Sequence, residues 1–298
     1  MDNNCVSESP FCLANDEKTV IAYSTTRLSF EPKGWQKDFR TKLRNAILHL
    51  HTNENNTLLA KYGSIENIDY VDVENALFYN VGPSVFKNVA DHSILFEKLD
   101  SKDTSNRLVS LQCADSYSYY YEYNVTTLSD NEKLWWQKDL VAEWNDINIR
   151  KPHTDQKPLD YWRVLKMNPD AITIHTSNII DGPFGLNISI SIPQGDSINL
   201  ASIMKPLLDG VICAFHSYKD SQNSNVEKMC KRLECSTDML LNTSNGILGK
   251  ETYIRDYRNG IKWNPQDDRC KAIRLSATPS KNESWSFRGK VFNLALVI

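Results

Sequence analysis

Two short segments of this chain carry residue types whose spacing could do chemistry. Lys205-Pro206-Leu207-Leu208-Asp209-Gly210 reads as the start of a helix after a strand and loop, and Asn264-Pro265-Gln266-Asp267-Asp268-Arg269 as an acidic turn before a strand. A helix start and a strand start can meet at one edge of an α/β layer. Asp209 with Asp267 or Asp268 would then gather carboxylates for Mg²⁺, which metal-assisted phosphodiester cleavage requires, and Lys205 could hold a phosphate nearby. On the alternative reading Lys205-Pro206 simply starts a helix, Asp209 favours its positive end, and Asp267-Asp268 are turn residues.

The order strand, Lys-Pro-x-x-Asp, helix, Asp-Asp, strand resembles the core of RusA-type Holliday-junction resolvases. Those carry Lys-Pro-Asp-x-Asp-Asn before the helix and Asp-Asp after it. The resemblance implies a Mg²⁺-dependent nuclease built on Asp209, Asp267 and Asp268. The chain departs from that pattern at Leu207, where the motif has its first Asp, and at Gly210, where it has Asn.

Other constellations point to binding or to packing. In an extended chain Tyr117, Tyr119, Tyr121 and Tyr123 share one face, and four phenols on one side could stack on bases or meet a protein. Tyrosine is equally a good strand former on a half-buried face. Cys213 and His216 lie three apart on an expected helix with Asp220 beyond, but catalytic Cys and His normally converge from separate elements. The seven cysteines show no Cys-x-x-Cys pair, the nearest spacing being Cys230 to Cys235, so small buried thiols are expected rather than zinc. Neither a Gly-x-Gly-x-x-Gly, nor a phosphate loop, nor a Gly-x-Ser-x-Gly is present.

The elements that must position these residues follow from apolar spacing. Trp35, Phe39, Leu43, Ala46, Ile47 and Leu50 make the clearest helical stripe, with Lys37, Arg40, Lys42 and Arg44 on its remaining surface. Strands are expected over residues 19–30, 70–81, 108–123, 171–176, 185–192, 270–277 and 286–298, with helices over 84–99, from Pro206 onward and over 226–241. Ser129-x-x-Glu132 has the form of a capping box opening a helix through Leu134, Trp135, Trp136, Leu140, Val141 and Trp144. Residues 101–106 read as a charged turn. No internal repeat is visible. Strands and helices alternate without a βαβ rhythm, which predicts an α+β fold of mixed or mainly antiparallel sheets packed with several helices. Lys151 to Pro158, with two prolines and no large apolar residue, reads as a linker between subdomains at 1–150 and 159–298.

A net charge of −3, with 34 basic against 37 acidic side chains, argues against wholesale coating of nucleic acid. The acidic, polar start MDNNCVSESP lacks the form of a secretion signal, and no apolar run is long enough to span a bilayer. These features lead to the expectation of a cytoplasmic protein with reduced cysteines and no membrane contact. With no intact catalytic set but abundant Trp and Tyr, the leading expectation is a non-catalytic protein that binds another macromolecule, above all a protein, without a cofactor. The narrower form is a phage or bacterial factor that inhibits a defence complex. The alternative is the Mg²⁺-dependent nuclease, with nucleic acid as partner; self-assembly is compatible with either.

Overall fold

The computed structural model describes residues 9–66, 71–109, 117–127, 135–153, 155–176, 179–218, 223–242, 246–249, 254–258, 260–265 and 267–296. Among them, ten strands form one mixed sheet: β1 (Phe11–Asn15), β2 (Thr19–Ser24), β3 (Thr57–Ser64), β4 (Ser93–Lys98), β5 (Tyr119–Thr126), β6 (Trp135–Asn148), β7 (Ile172–Ile174), β8 (Phe184–Pro193), β11 (Cys270–Ser280) and β12 (Ser286–Leu296). A separate hairpin pairs β9 (Ile254–Tyr257) with β10 (Gly260–Trp263). The helices are α1 (Trp35–Leu48), α2 (Ser101–Val109), α3 (Pro158–Met167), α4 (Leu200–Ala214), α5 (Asn223–Leu233) and α6 (Thr237–Leu241), with a π-helical turn at Asn75–Tyr79 and a 3-10 turn at Pro83–Phe86. The fold is α+β.

The strand order β1-β2-β5-β3-β4-β11-β8-β12-β6-β7 contains one connectivity twice. In the first half β2 leads through α1 to β3, the chain crosses over to β4 in parallel, and β5 returns antiparallel between β2 and β3. In the second half β6 leads through α3 to β8, the chain crosses over through α4 to β11 in parallel, and β12 returns antiparallel between β6 and β8. The halves join where β4 and β11 pair antiparallel, with Ile94 opposite Leu275. An approximate twofold axis normal to the sheet therefore passes between these two strands. The repeat is one of connectivity, not of residues, which is why the sequence shows none.

One continuous core lies between the sheet and the layer of α1, α3, α4 and the two short turns. On β2, Val20 and Ala22 face this core, whereas Tyr23 packs with Leu99, Leu108, Tyr117 and Tyr120 in a smaller cluster beneath α2. The polar residues of β8 (Asn187, Ser189, Ser191) alternate with its buried isoleucines, as the sequence spacing requires.

Several elements differ from the sequence expectation for identifiable reasons. The aromatic segment from Trp135 is a strand, not a helix. Three register irregularities against β12 each place an extra residue on β6. Its buried residues Val141, Trp144 and Ile147 consequently fall at three-residue steps, which imitates helical spacing. The Ser129-x-x-Glu132 pattern lies outside the described residues. Residues 93–98, expected in a helix, form β4, whose burial on both faces removes any period-two signal. Residues 75–79, expected in a strand, form the π turn, and 101–109 form a helix where a charged turn was expected.

The segment 151–158 connects β6 to α3 within the second copy of the repeated connectivity. Cys12 is disulfide-bonded, which departs from the expectation of reduced thiols throughout. Among the described residues no helix is long and apolar enough to cross a membrane.

The closest approach between α3 and α4 is set by Gly210. A Cβ there would lie inside contact distance of the Pro158 carbonyl and of Tyr161 Cβ, neither of which is a flexible side-chain end. Gly210→Ala should therefore lose about 1–3 kcal/mol by overpacking, despite the better helix propensity of alanine. Urea unfolding measures this directly; a stabilised variant would show that the two helices can part.

Candidate functional site

The site lies where α4 of the second half meets the π turn of the first. The start of α4 is held by three hydrogen bonds, two of which reach the first half. Asn199 caps the helix by accepting from the Ala201 N–H at 3.1 Å, its side-chain amide donates to the Pro83 carbonyl at 3.1 Å, and the Leu200 N–H donates to the Ala90 carbonyl at 2.7 Å. The helix thus begins six residues before Pro206, and Lys205-Pro206 falls inside it. Proline has no N–H, so the Ser202 carbonyl one turn earlier loses its intrahelical donor.

Lys205 and Asp209 stand one turn apart on α4, where the Lys205 ammonium gathers three carboxylates. It donates to Asp72 Oδ2 at 3.2 Å and Glu74 Oε1 at 2.9 Å, and lies 2.9 Å from Asp209 Oδ1. Two of the acids come from the first half and one from the second. Glu74 and Asp209 are buried, while Lys205 and Asp72 keep about a quarter of their side-chain surface in water. The contact with Asp209 is an ion pair. Burial above all, opposed by Lys205 and reinforced by the negative charges of Glu74 and Asp72, holds the Asp209 carboxyl raised to about 6.

An aromatic rim stands beside this assembly. Phe30 and Tyr79 stack with ring centroids 5.0 Å apart and planes 9° from parallel, although they are 54% and 42% exposed. The segments that carry them are fixed from below by the tyrosine run. Tyr121 accepts from the Leu28 N–H at 3.0 Å, Tyr123 donates to the Leu77 carbonyl at 2.6 Å, and the Asn80 amide ties the Leu28 carbonyl at 2.9 Å. Gln36 of α1 accepts from both the N–H and the hydroxyl of Ser29, at 3.1 and 2.9 Å.

Beyond Tyr79 the chain turns through Gly82 at φ +110°, where a Cβ would collide with the Arg44 guanidinium. Arg44 and Arg40 both donate to the Val81 carbonyl, at 2.9 and 3.2 Å. Burial and the neighbouring Arg44 charge lower the pKa of Arg40. These two members of the basic face of α1 thus hold the turn.

Two cavities flank Lys205 and Tyr79. One of about 520 Å³ is lined by Glu74, Asp209, Ser202, Pro206 and Met204 along with them, and one of about 470 Å³ by Asp72, Arg27 and Phe30.

The structure brings Lys205 and Asp209 together, but the charges acting on Asp209 are those of Lys205, Glu74 and Asp72. Asp268 sits in a 3-10 turn at the start of β11, and the side chain of Asp267 lies outside the described residues. The following Arg269 donates to the Leu248 carbonyl at 2.9 Å. Among the described residues no group of three Asp, Glu, His or Cys side chains is disposed to hold a metal ion.

Tyr117, Tyr119, Tyr121 and Tyr123 are all buried and form no surface platform; Tyr117 lies in the cluster under α2, away from the other three. Cys213 is also buried, and His216 directs Nδ1 to the Ile212 carbonyl at 2.7 Å. Sequence reasoning missed Asp72, Glu74, Phe30 and Tyr79. The available signal was two acids inside the apolar run Val71 to Phe78, where a buried charge requires a partner from elsewhere.

No family model, no curated protein and no solved structure matches this chain. The RusA-like pattern also departs in place, since Lys205-Pro206 lies within its helix instead of before it.

The two buried titrating groups give opposite pH dependences. Asp209 binds its proton more tightly in the folded protein, so its contribution is full below about 3.8 and is lost as pH rises through about 6. Burial pushes His216 down to about 4, so its contribution is present above 6.5 and is lost as pH falls. The stability difference between wild type and Asp209→Asn should accordingly move toward the variant by on the order of 3 kcal/mol between pH 4 and 7. Urea titrations across that range measure it; a flat difference would mean that Asp209 ionises as an exposed carboxylate does.

Proposed function

We propose that this chain is a non-catalytic binding protein that engages another protein at the aromatic-rimmed cleft around Lys205. The exposed Phe30–Tyr79 stack carries this reading. Two large rings held parallel in water leave apolar faces uncovered, and aromatic anchors of this kind dominate the energetics of protein interfaces. Their backbones are fixed by buried tyrosine hydroxyls, so little ordering entropy remains to be lost on binding. The cavities on either side of Tyr79 provide recesses for partner side chains. The Asn-rich, Gly-poor composition is compatible with an AT-rich bacterial or phage genome, and the narrower proposal is a phage or bacterial inhibitor of a defence complex.

A photo-crosslinking residue at position 30, in cells that naturally make the protein, should capture one protein partner. Phe30→Ala combined with Tyr79→Ala should weaken that complex at least thirtyfold, at about 2 kcal/mol or more for an anchor, while leaving unfolding within about 1 kcal/mol of wild type. Absence of any crosslink, together with Mg²⁺-dependent cleavage of DNA by the purified chain, would replace this reading with the nuclease.

A further inference from the structure

The cavity of about 520 Å³ has a chemistry of its own, because two carboxylates and one ammonium line it together with the neutral polar side chains of Ser84, Gln156 and Ser202. Glu74 and Asp209 supply the two carboxylates. Asp209 is only 7% exposed, and its Oδ1 is ion-paired with Lys205 at 2.9 Å. Among the described lining residues Lys205 is the cationic side chain, and it is shared with Asp72 in the neighbouring cavity. Three carboxylates around one ammonium leave an excess of negative charge. Arg27 lines the neighbouring cavity, so the excess is concentrated on the Glu74 and Asp209 side. Phe78, Tyr79, Pro83 and Met204 supply apolar walls, with Tyr79 extending into the exposed stack.

We infer that this cavity receives an arginine side chain of the partner, its guanidinium donating to the Glu74 and Asp209 carboxylates and its flat face lying against Tyr79. A guanidinium presents five donors in a plane and is less strongly hydrated than an ammonium, so it suits a recess with several acceptors and an aromatic edge. The inference rests on the binding reading and specifies the chemistry of the partner. The charged groups facing the recess are Glu74, Asp209 and Lys205, with Asp72 behind Lys205. Loss of the Asp209 charge on acidification should therefore weaken the interaction.

The test uses the full chain and three small probes: acetyl-Gly-Arg-Gly-amide, its neutral citrulline counterpart and the Lys counterpart. Their binding is followed through the backbone amide NMR signals of Ser84 and Ser202, which line the cavity. The Arg probe should give saturable shifts at pH 7, the citrulline probe should bind at least tenfold more weakly, and the Lys probe should fall between them. Lowering the pH from 7 to 5 should weaken the Arg probe several-fold. Glu74→Gln should do so at pH 7, its fold verified by an unchanged amide spectrum away from the cavity; the citrulline and pH comparisons require no variant. Equal binding of the Arg and citrulline probes, or shifts that bypass Ser84 and Ser202, would overturn the inference. A partner still captured from position 30 would in that case leave the binding reading intact, which separates the two failures.

Discussion

The antiparallel pairing of β4 with β11 is the constraint on which the rest depends. Residues 93–97 of the first half and 272–276 of the second exchange backbone hydrogen bonds across the approximate twofold axis, and no short loop connects the two strands. Because each strand also has a parallel neighbour in its own half, the two crossover connections are brought side by side near the axis. One crossover is the long helix α4; the other is the compact pair of π and 3-10 turns. This asymmetry within a repeated connectivity makes the cleft. A second long helix would fill the space, whereas the short turns leave room beside Lys205 and present Tyr79 to water.

The Lys205 assembly exists only because that junction forms. Asp72 and Glu74 are more than a hundred residues from Lys205 in sequence and meet it across the axis. Burying such a group carries a desolvation cost that ion pairing offsets only in part, so it specifies geometry more surely than it adds stability. Asp209 shows the balance in one residue: burial and two like charges oppose its ionisation, and the Lys205 ammonium favours it. A π turn is itself an uncommon conformation that recurs at functional positions, and here it sets Glu74 and Tyr79 at its two ends.

Legibility in the sequence followed the reach of the physical signal. The stripe of α1, the alternation of β8 and the closing strands β11 and β12 were readable because each has one wet and one dry face. β4 was not, being dry on both faces, nor was β6, whose bulges move Val141, Trp144 and Ile147 onto a three-residue spacing. Lys205 and Asp209 were visible as a local pair, but their true neighbours lie in the other half. The tyrosine run was noticed for its phenols, yet its hydroxyls face inward and hold the loops of the rim. A sequence records that a Tyr can hydrogen-bond; only the fold decides with what.

The place of β12 has a consequence for how quickly this chain reaches its native state. Among the described residues β6 pairs, apart from β12, only with β7, while β8 remains with β11, so the sheet is two separate pieces until this strand enters. Its partners on β6 lie some 140 residues earlier in the chain, and the loop closed by their meeting must be ordered before most of its contacts compensate. Until then the facing edges of β6 and β8 offer unpaired amides and carbonyls to any extended segment, including one from another molecule. The rate at which β12 inserts therefore governs the competition between refolding and aggregation.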